Sequence, residues 1–261
     1  MSETIFTARN VTKRYRKSSA LVGVHMEIKR GDIYGFVGGN GAGKTTLMRI
    51  LTGMVRQTSG EIELFGKSET KELCVQRGRI GAMIETPALY PGMTAKDNLE
   101  VLRLQRGLTG KECIDEVLET VGLVNTSSKK VKDFSLGMKQ RLGLAMALLG
   151  NREFLVLDEP INGLDPEGIV AFRDILTKMN QERGTTILIS SHLLGELDQL
   201  ATCYGFIHKG KMVEQITAKK LHEKCRKSLI SEAVNVKEAK SESAGLEKYY
   251  MTLIKGTGGK R

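Results

Sequence analysis

Long apolar segments are absent from this 261-residue sequence. The best candidate, Leu142–Leu149, is much shorter than the ~18 residues that a membrane-spanning helix needs, and Gly143 interrupts it. The first ten residues also lack the basic and then apolar pattern of a signal peptide. We therefore expect a cytoplasmic protein without a membrane span of its own.

Cysteine is scarce as well. The four cysteines lie far apart and form no C-x-x-C pair, which argues against a disulfide framework or a cysteine metal site. Hydrophobic residues at 40% and charged residues at 27% are ordinary proportions for a globular protein. Composition alone therefore indicates a globular chain and no special chemistry.

Acidic residues are outnumbered by basic ones, and the net charge is +10. Residues 218–261 hold 11 Lys or Arg and five Asp or Glu, so they carry six of those charges. A solvated lysine-rich terminus and a nucleic-acid surface both explain this excess. Because basic and aromatic side chains do not interleave as they do on single-strand-binding surfaces, we favour the solvated terminus and expect no nucleic-acid partner.

Short β-branched runs alternate with helical patterns, which predicts an α/β fold with a parallel sheet. Buried strands are predicted at Ile33–Val37, Glu153–Leu157 and Thr185–Ser190. Residues 86–150 are predicted to be almost entirely helical, since apolar residues there recur at helical spacing. The same spacing predicts a last helix around residues 246–253.

A glycine-rich loop follows the first of these strands. Its sequence, GGNGAGKTT, matches the phosphate-binding pattern G-x-x-x-x-G-K-[ST]. Glycines let the backbone curl around phosphates, and the helix that follows offers unpaired N–H groups to anions. The residues predicted to bind ATP are Gly38, Gly39, Asn40, Gly41, Ala42, Gly43, Lys44, Thr45 and Thr46. A merely flexible glycine turn is the alternative, but it explains neither the preceding strand nor the following helix.

Two carboxylates end the second buried strand, in the sequence FLVLDEP. Acids at the end of an apolar strand are costly unless a cation or a proton is at hand. Asp158 suits Mg²⁺ binding together with the Thr45 hydroxyl, and Glu159 suits activation of an attacking water. Solvated acids at a surface strand end are the alternative, which the phosphate loop makes less attractive.

Taken in order, the motifs resemble the nucleotide-binding subunit of an ABC transporter, from Tyr15 to about Ile216. Gly38–Thr46 match the Walker A loop of that family, and Asp158 with Glu159 match its Walker B pair. The resemblance implies that Tyr15 stacks on adenine and that Lys44 contacts the β- and γ-phosphates.

Three further motifs extend the resemblance. Asn162–Pro166 match the D-loop, His192 matches the catalytic switch histidine, and Phe134–Arg141 stand where the family has its L-S-G-G-Q signature. In that family Ser135 and Gly137 would bind the nucleotide of a second subunit. Alone, a histidine or a serine before a helix is more often structural, so the interpretation depends on joint order and spacing.

Two departures from the family pattern are present. The signature has Leu136 and Met138 in place of a glycine and the glutamine, and Glu85 replaces the Q-loop glutamine. Both departures resemble the branch that exports bacitracin and gives immunity to lantibiotic peptides. Glu85 is either a ligand of Mg²⁺ or a solvated acid at a strand end, and the sequence leaves both open.

The resemblance implies a P-loop NTPase core of α/β class, with an antiparallel N-terminal β portion and an inserted helical subdomain. The expected domains are an ABC nucleotide-binding domain at 1–217, with its helical subdomain at about 86–150, and a basic helical tail at 218–261. The expected activity is ATP hydrolysis with Mg²⁺ that powers export.

The expected partners are a second copy or a related ATPase subunit, bound when ATP is bound, and integral membrane permease subunits. The permease would hold this chain on the inner face of the membrane. A soluble ABC-type ATPase acting on ribosomes or nucleic acid is the alternative, but such proteins usually carry two phosphate loops and this chain has one. A signalling ATPase without transport also stays open.

Overall fold

A computed structural model of the chain describes residues 3–16, 18–126, 128–192, 194–233 and 242–257. The strands in these residues are β1 Thr4–Tyr15, β2 Ser18–Lys29, β3 Ile33–Val37, β4 Ser59–Leu64, β5 Ile80–Met83, β6 Phe154–Asp158, β7 Thr186–Ser191, β8 Cys203–His208 and β9 Lys211–Thr217.

The α-helices in the same residues are α1 Lys44–Leu51, α2 Thr70–Arg77, α3 Ala95–Gln105, α4 Glu112–Thr120, α5 Leu136–Leu148, α6 Pro166–Arg183, α7 Leu194–Leu197, α8 Ala218–Ala233 and α9 Glu242–Thr257. None of the described helices has the length and apolarity needed to cross a bilayer.

The larger sheet has six strands in the order β5-β6-β7-β3-β8-β9. All neighbouring pairs are parallel except β8 with β9, which form an antiparallel hairpin. The strands β3, β6 and β7 are buried along their whole length, as their apolar sequences predict. The three predicted strands are confirmed, although β6 and β7 each begin and end one residue later than expected.

The parallel register brings the ends of three strands together. Asp158 pairs with Ser190, and Val37 pairs with Ser191. Because the carboxyl ends of parallel strands share one edge of a sheet, the glycine loop after Val37 begins beside Asp158 and the end of β7. Ligands in open α/β sheets bind at such an edge, so the register positions the candidate site.

The smaller sheet has the order β2-β1-β4 and is antiparallel throughout, which confirms the predicted N-terminal β portion. It shares a hydrophobic core with α1 through buried side chains such as Phe6, Val24 and Leu47. This sheet also touches the β8–β9 turn, where the Val22 N–H donates to the Gly210 carbonyl at 2.8 Å. The glycine loop therefore starts between two β-layers.

The segment 86–150 is less helical than predicted. The helices α3, α4 and α5 are separated by loops and by two short 3₁₀ turns, Val124–Thr126 and Val131–Asp133. The predicted apolar face of α4 is confirmed, since Ile114 and Leu118 are buried in a cluster with Leu142. The prediction failed between the helices because helical spacing of apolar residues says nothing about where polar loops interrupt it.

The described residues after Thr217, which are 218–233 and 242–257, form the two helices α8 and α9. The predicted last helix is confirmed as α9, whose Leu246 is 1% exposed. Strand β9 ends at Thr217 and helix α8 begins at Ala218. The division of the chain into a nucleotide-binding domain, a helical subdomain and a tail stays a prediction.

Candidate functional site

Two glycines of the loop, Gly38 and Gly43, pack tightly against neighbouring backbone. An ideal Cβ on Gly38 would lie 2.6 Å from the Ile207 carbonyl oxygen, and one on Gly43 would lie 2.7 Å from the Ala20 carbonyl oxygen. Gly43 also has φ +111°, a conformation that L side chains rarely adopt. Glycine is therefore required at both positions, because the chain backbone passes directly beneath them.

The loop is open at two other glycines, Gly39 and Gly41. A Cβ on Gly39 or on Gly41 would meet no atom within 4 Å among the described residues. Asn40 is exposed there, Ala42 is buried below it, and α1 begins at Lys44. The first turn of α1 carries Thr45 and Thr46, both half-buried. The loop therefore offers free space at a helix N-terminus, where N–H groups attract anions.

Lys44 is 5% exposed, which is rare for a lysine. Its ammonium donates a hydrogen bond to the Gly38 carbonyl at 2.6 Å and lies 3.1 Å from Oε1 of Glu159. A buried ammonium needs such partners, because desolvation without them costs several kcal/mol. Lys44 therefore points its charge along the loop toward the end of β6.

Asp158 and Glu159 are held by the neighbouring strand. The Ser190 hydroxyl donates to Oδ1 of Asp158 at 2.6 Å and accepts from the Glu159 N–H at 2.9 Å. Glu159 has φ +49°, a left-handed conformation that costs about 1 kcal/mol or more in a residue with a side chain. This turn separates the two carboxylates, with Asp158 buried and Glu159 directed toward Lys44.

His192 follows β7 and completes the cluster. Its Nδ1 lies 2.5 Å from Oε2 of Glu159. Each oxygen of the Glu159 carboxylate therefore has its own partner, Lys44 on one side and His192 on the other. Four residues predicted from three motifs, Lys44, Asp158, Glu159 and His192, meet at one edge of the sheet.

Two residues of this cluster were missed in the sequence. Ser190 joins the two carboxylates, and Glu196 lies close enough for His192 and Glu159 to influence its ionisation. Burial raises the pKa of Glu196, although the Ser191 hydroxyl donates to it at 3.2 Å. A polar residue at the end of a buried strand was a usable signal for Ser190, whereas Glu196 lies in a four-residue helix without a pattern.

Ser135 and Gly137 lie elsewhere. The Ser135 hydroxyl caps α5 by accepting from the Met138 N–H at 3.2 Å. Both residues line a cavity of about 470 Å³ together with Gly163 and Asp165 of the D-loop motif. Among the described residues that line this cavity, none belongs to the glycine loop. The glycine loop and this cavity are therefore separate places on the subunit, and the division of the nucleotide site into two half-sites, one of them used by a partner subunit, stays a prediction.

Tyr15 and Glu85 were predicted to contact ATP and Mg²⁺. Tyr15 ends β1 with 41% of its surface exposed, and the Lys13 ammonium lies 4.9 Å from the centre of its ring. Glu85 has φ +62°, is 63% exposed at its side chain, and forms an ion pair with Arg49 of α1. The adenine role of Tyr15 and the metal role of Glu85 stay predictions.

Comparison with known proteins adds independent information. The family described as ABC transporter matches residues 21–162, which is more than half of the chain. The chain is 46% identical to the bacitracin transport ATP-binding protein BcrA of Bacillus licheniformis, over 87% of this chain and 74% of that protein. It is 44% identical to the lantibiotic transport ATP-binding protein SrtF of Streptococcus pyogenes, over 78% of this chain and 87% of that protein.

Solved structures are similar in fold. The CbiO1 subunit of an ABC transporter complex from Clostridium perfringens superposes with a TM-score of 0.77 at 27% identity, covering 87% of this chain and 95% of that one. The ATP-binding cassette MJ0796, solved as a dimer bound to ADP and phosphate, gives a TM-score of 0.74 at 25% identity, covering 82% and 99%.

Proposed function

This chain belongs to the ABC transporter family of ATP-binding subunits, and we propose that it powers export of a peptide antibiotic or a similar amphiphile through separate permease subunits. The chain is an ATPase, as its family is. The observation that best supports the proposed hydrolytic chemistry is the contact of Glu159 with both Lys44 and His192.

The site fits a nucleotide. The open space above Gly39 and Gly41 admits phosphate oxygens close to the backbone, which a Cβ would hinder. The buried Lys44 ammonium supplies the charge that meets the β- and γ-phosphates. Tyr15 is exposed enough to stack on the base.

The donor set also fits Mg²⁺. The Asp158 carboxylate and the Thr45 hydroxyl are hard oxygen ligands of the kind that this ion prefers. Ser190 fixes one oxygen of Asp158, which orients the carboxylate. Bound there, Mg²⁺ would neutralise charge on the phosphates. We keep Glu85 as a further candidate ligand, although its carboxylate faces Arg49.

Glu159 orients and activates the attacking water, since it is the carboxylate directed into the site and not the one fixed by Ser190. His192 holds that carboxylate in place through Oε2. Lys44 stabilises the negative charge of the transferred phosphoryl group. The remaining contribution is positioning, which dominates phosphoryl transfer.

A second subunit completes the site. Ser135 and Gly137 line a cavity apart from the glycine loop, which supports their use on the nucleotide of a partner subunit. The dimer of the cassette MJ0796 is consistent with this arrangement. The partner is either a second copy or a related ATPase chain, and the permease subunits would hold the pair at the inner face of the membrane.

The cargo follows from the relatives, whose names specify bacitracin and lantibiotic transport. None of the relatives reported above favours a soluble ATPase that acts on ribosomes or nucleic acid. The test is expression with a candidate permease in a sensitive bacterium, scoring resistance to bacitracin and to a lantibiotic. Protection that disappears in Glu159→Gln supports export, whereas salt-sensitive RNA binding without permease co-purification would contradict it.

A further inference from the structure

The C-terminal helix α9 reaches the glycine loop directly. The Gly39 N–H donates a hydrogen bond to the hydroxyl of Tyr250 at 3.1 Å. The two residues are 211 positions apart in the sequence. The N–H of Gly39 is therefore turned toward α9, while the space above Gly39 stays open.

Tyr250 is fixed by the same strand that supports the loop. Its ring stacks on the ring of Phe206 in β8, with centroids 5.9 Å apart and planes 27° apart. Phe206 is fully buried, and the next residue, Ile207, places its carbonyl beneath Gly38. A movement of this part of β8 would therefore shift both the floor of the loop and the ring of Tyr250.

Other contacts anchor α9 independently of the loop. Leu246 is buried in the main core. The Tyr249 hydroxyl donates to Oε2 of Glu214 in β9 at 2.5 Å and accepts from the Lys224 ammonium of α8 at 3.0 Å. The helix is therefore anchored by these other contacts, and the hydrogen bond between Gly39 and Tyr250 is not its only attachment.

The loop is also held on its other side, by the β8–β9 turn. The Gly210 N–H donates to the Ala42 carbonyl at 2.9 Å. That contact joins the loop to the β8–β9 hairpin of the core sheet, whereas Gly39 is held by a separate helix. Removing the Tyr250 hydroxyl would therefore break a contact of the loop without removing a backbone hydrogen bond of the sheet.

From these contacts we infer that Tyr250 is a positioning residue of the phosphate loop, and that docking of α9 raises nucleotide affinity. The inference rests on the ATP site of the proposed function. A loop already ordered at Gly39 loses less conformational freedom when phosphate binds, so binding is tighter. By linkage, bound nucleotide must strengthen the docking of α9 by the same factor.

The test uses the full chain and the variant Tyr250→Phe, which keeps the ring and removes only the hydroxyl. Loss of one neutral hydrogen bond weakens ADP binding about fivefold in calorimetry. The KM for ATP rises by a similar factor, and kcat at saturating ATP changes less. The matched control is Tyr90→Phe, which removes a tyrosine hydroxyl at an exposed position outside α9 and the glycine loop and leaves ADP affinity within about twofold of wild type.

Hydrogen exchange of α9 gives a second measurement. ADP slows exchange of the α9 amides in the wild-type chain, and slows it less in Tyr250→Phe. Equal ADP affinity in Tyr250→Phe and wild type, with ADP-independent exchange of α9, would overturn the inference while leaving the ATPase assignment intact. Failure of the wild-type chain to bind ADP at all would overturn both.

Discussion

The Lys44 ammonium lies 3.1 Å from the Glu159 carboxylate, so the cation of the glycine loop and the acid at the end of β6 are direct partners. Lys44 is buried and Glu159 is three-quarters buried, with 23% of its side chain exposed. Water screens such a pair less than it screens a surface pair. The ammonium proposed to bind phosphate and the carboxylate proposed to activate water therefore interact directly, and a change in either one alters the charge environment of the other.

Lys44→Ala tests the proposed charge-assisted contact of Lys44 with the phosphates, a kind of contact that is worth roughly 1.5–3 kcal/mol. We expect ATP affinity to fall about tenfold or more and hydrolysis to collapse, in titration calorimetry and phosphate-release assays. Lys71→Ala, on the exposed start of α2, is the matched control and behaves as wild type. Normal turnover in Lys44→Ala would remove Lys44 from the site.

Much of the site was predictable from the sequence, because each motif sits at the end of a buried strand. Once Ile33–Val37, Phe154–Asp158 and Thr186–Ser191 are parallel neighbours, the loop, the acidic pair and His192 share one edge. The sequence itself shows the three buried strands and the motif that follows each of them, so the meeting of these motifs could be predicted.

Contacts set by tertiary packing were not predictable. The helical spacing of Tyr250 predicts a buried face but not a hydrogen bond to Gly39. The pairing of Glu85 with Arg49 was equally hidden, since it depends on how the loop after β5 lies against α1. Local patterns specify elements, whereas packing decides which side chains meet.

Replacing Ser135 with Arg tests the second half-site. A large cation in this cavity would clash with the nucleotide of the partner, so ATP-driven dimerisation should be lost while the single subunit still binds ATP. Size-exclusion chromatography with ATP and calorimetry with ADP measure the two effects. Ser128→Arg, an exposed position in the same region, is the control and still dimerises.

Loss of the helix cap in Ser135→Arg will also cost ~1 kcal/mol of stability, so the melting temperature must be measured in parallel. If a well-folded Ser135→Arg monomer fails to bind nucleotide, Ser135 serves its own subunit and the separation into two half-sites is wrong.

Glu85→Gln tests coupling to the permease. The ion pair with Arg49 is exposed and worth no more than about 1 kcal/mol, so stability changes little. We expect hydrolysis by the isolated subunit within a few-fold of wild type, and weaker resistance in cells that express the permease. A defect confined to the assembled transporter cannot come from lost ATP binding. Full transport by Glu85→Ala, with unchanged hydrolysis, would show that the position is dispensable.

Glu153 should make part of the stability dependent on pH. Hydrogen bonds from Arg79 first, and then from Arg30, lower the pKa of Glu153 from 4.5 to about 2. Because the pKa in the folded chain is depressed, the stabilisation is present above pH 4.5 and is lost as the pH falls toward 2. The side chain is 40% exposed, so solvent screening limits the benefit to about 1 kcal/mol.

The measurement for Glu153 is urea unfolding of wild type and Glu153→Gln across this pH range. We expect the variant to be less stable by about 1 kcal/mol at pH 7, with the difference shrinking below pH 4.5. Glu61→Gln, at an exposed position of β4, is the control. A difference that stays constant down to pH 2 would mean that the ion pairs of Glu153 do not stabilise the fold.

The most direct test of the central claim is single-turnover ATP hydrolysis by wild type and Glu159→Gln, with ATP affinity measured on the same samples. The amide keeps the size of the side chain but cannot activate water, so we predict retained ATP affinity, turnover lowered about 10²-fold or more, and an accumulating ATP-bound dimer. Wild-type turnover by Glu159→Gln would contradict the account, because the carboxylate between Lys44 and His192 would then not be the catalytic group.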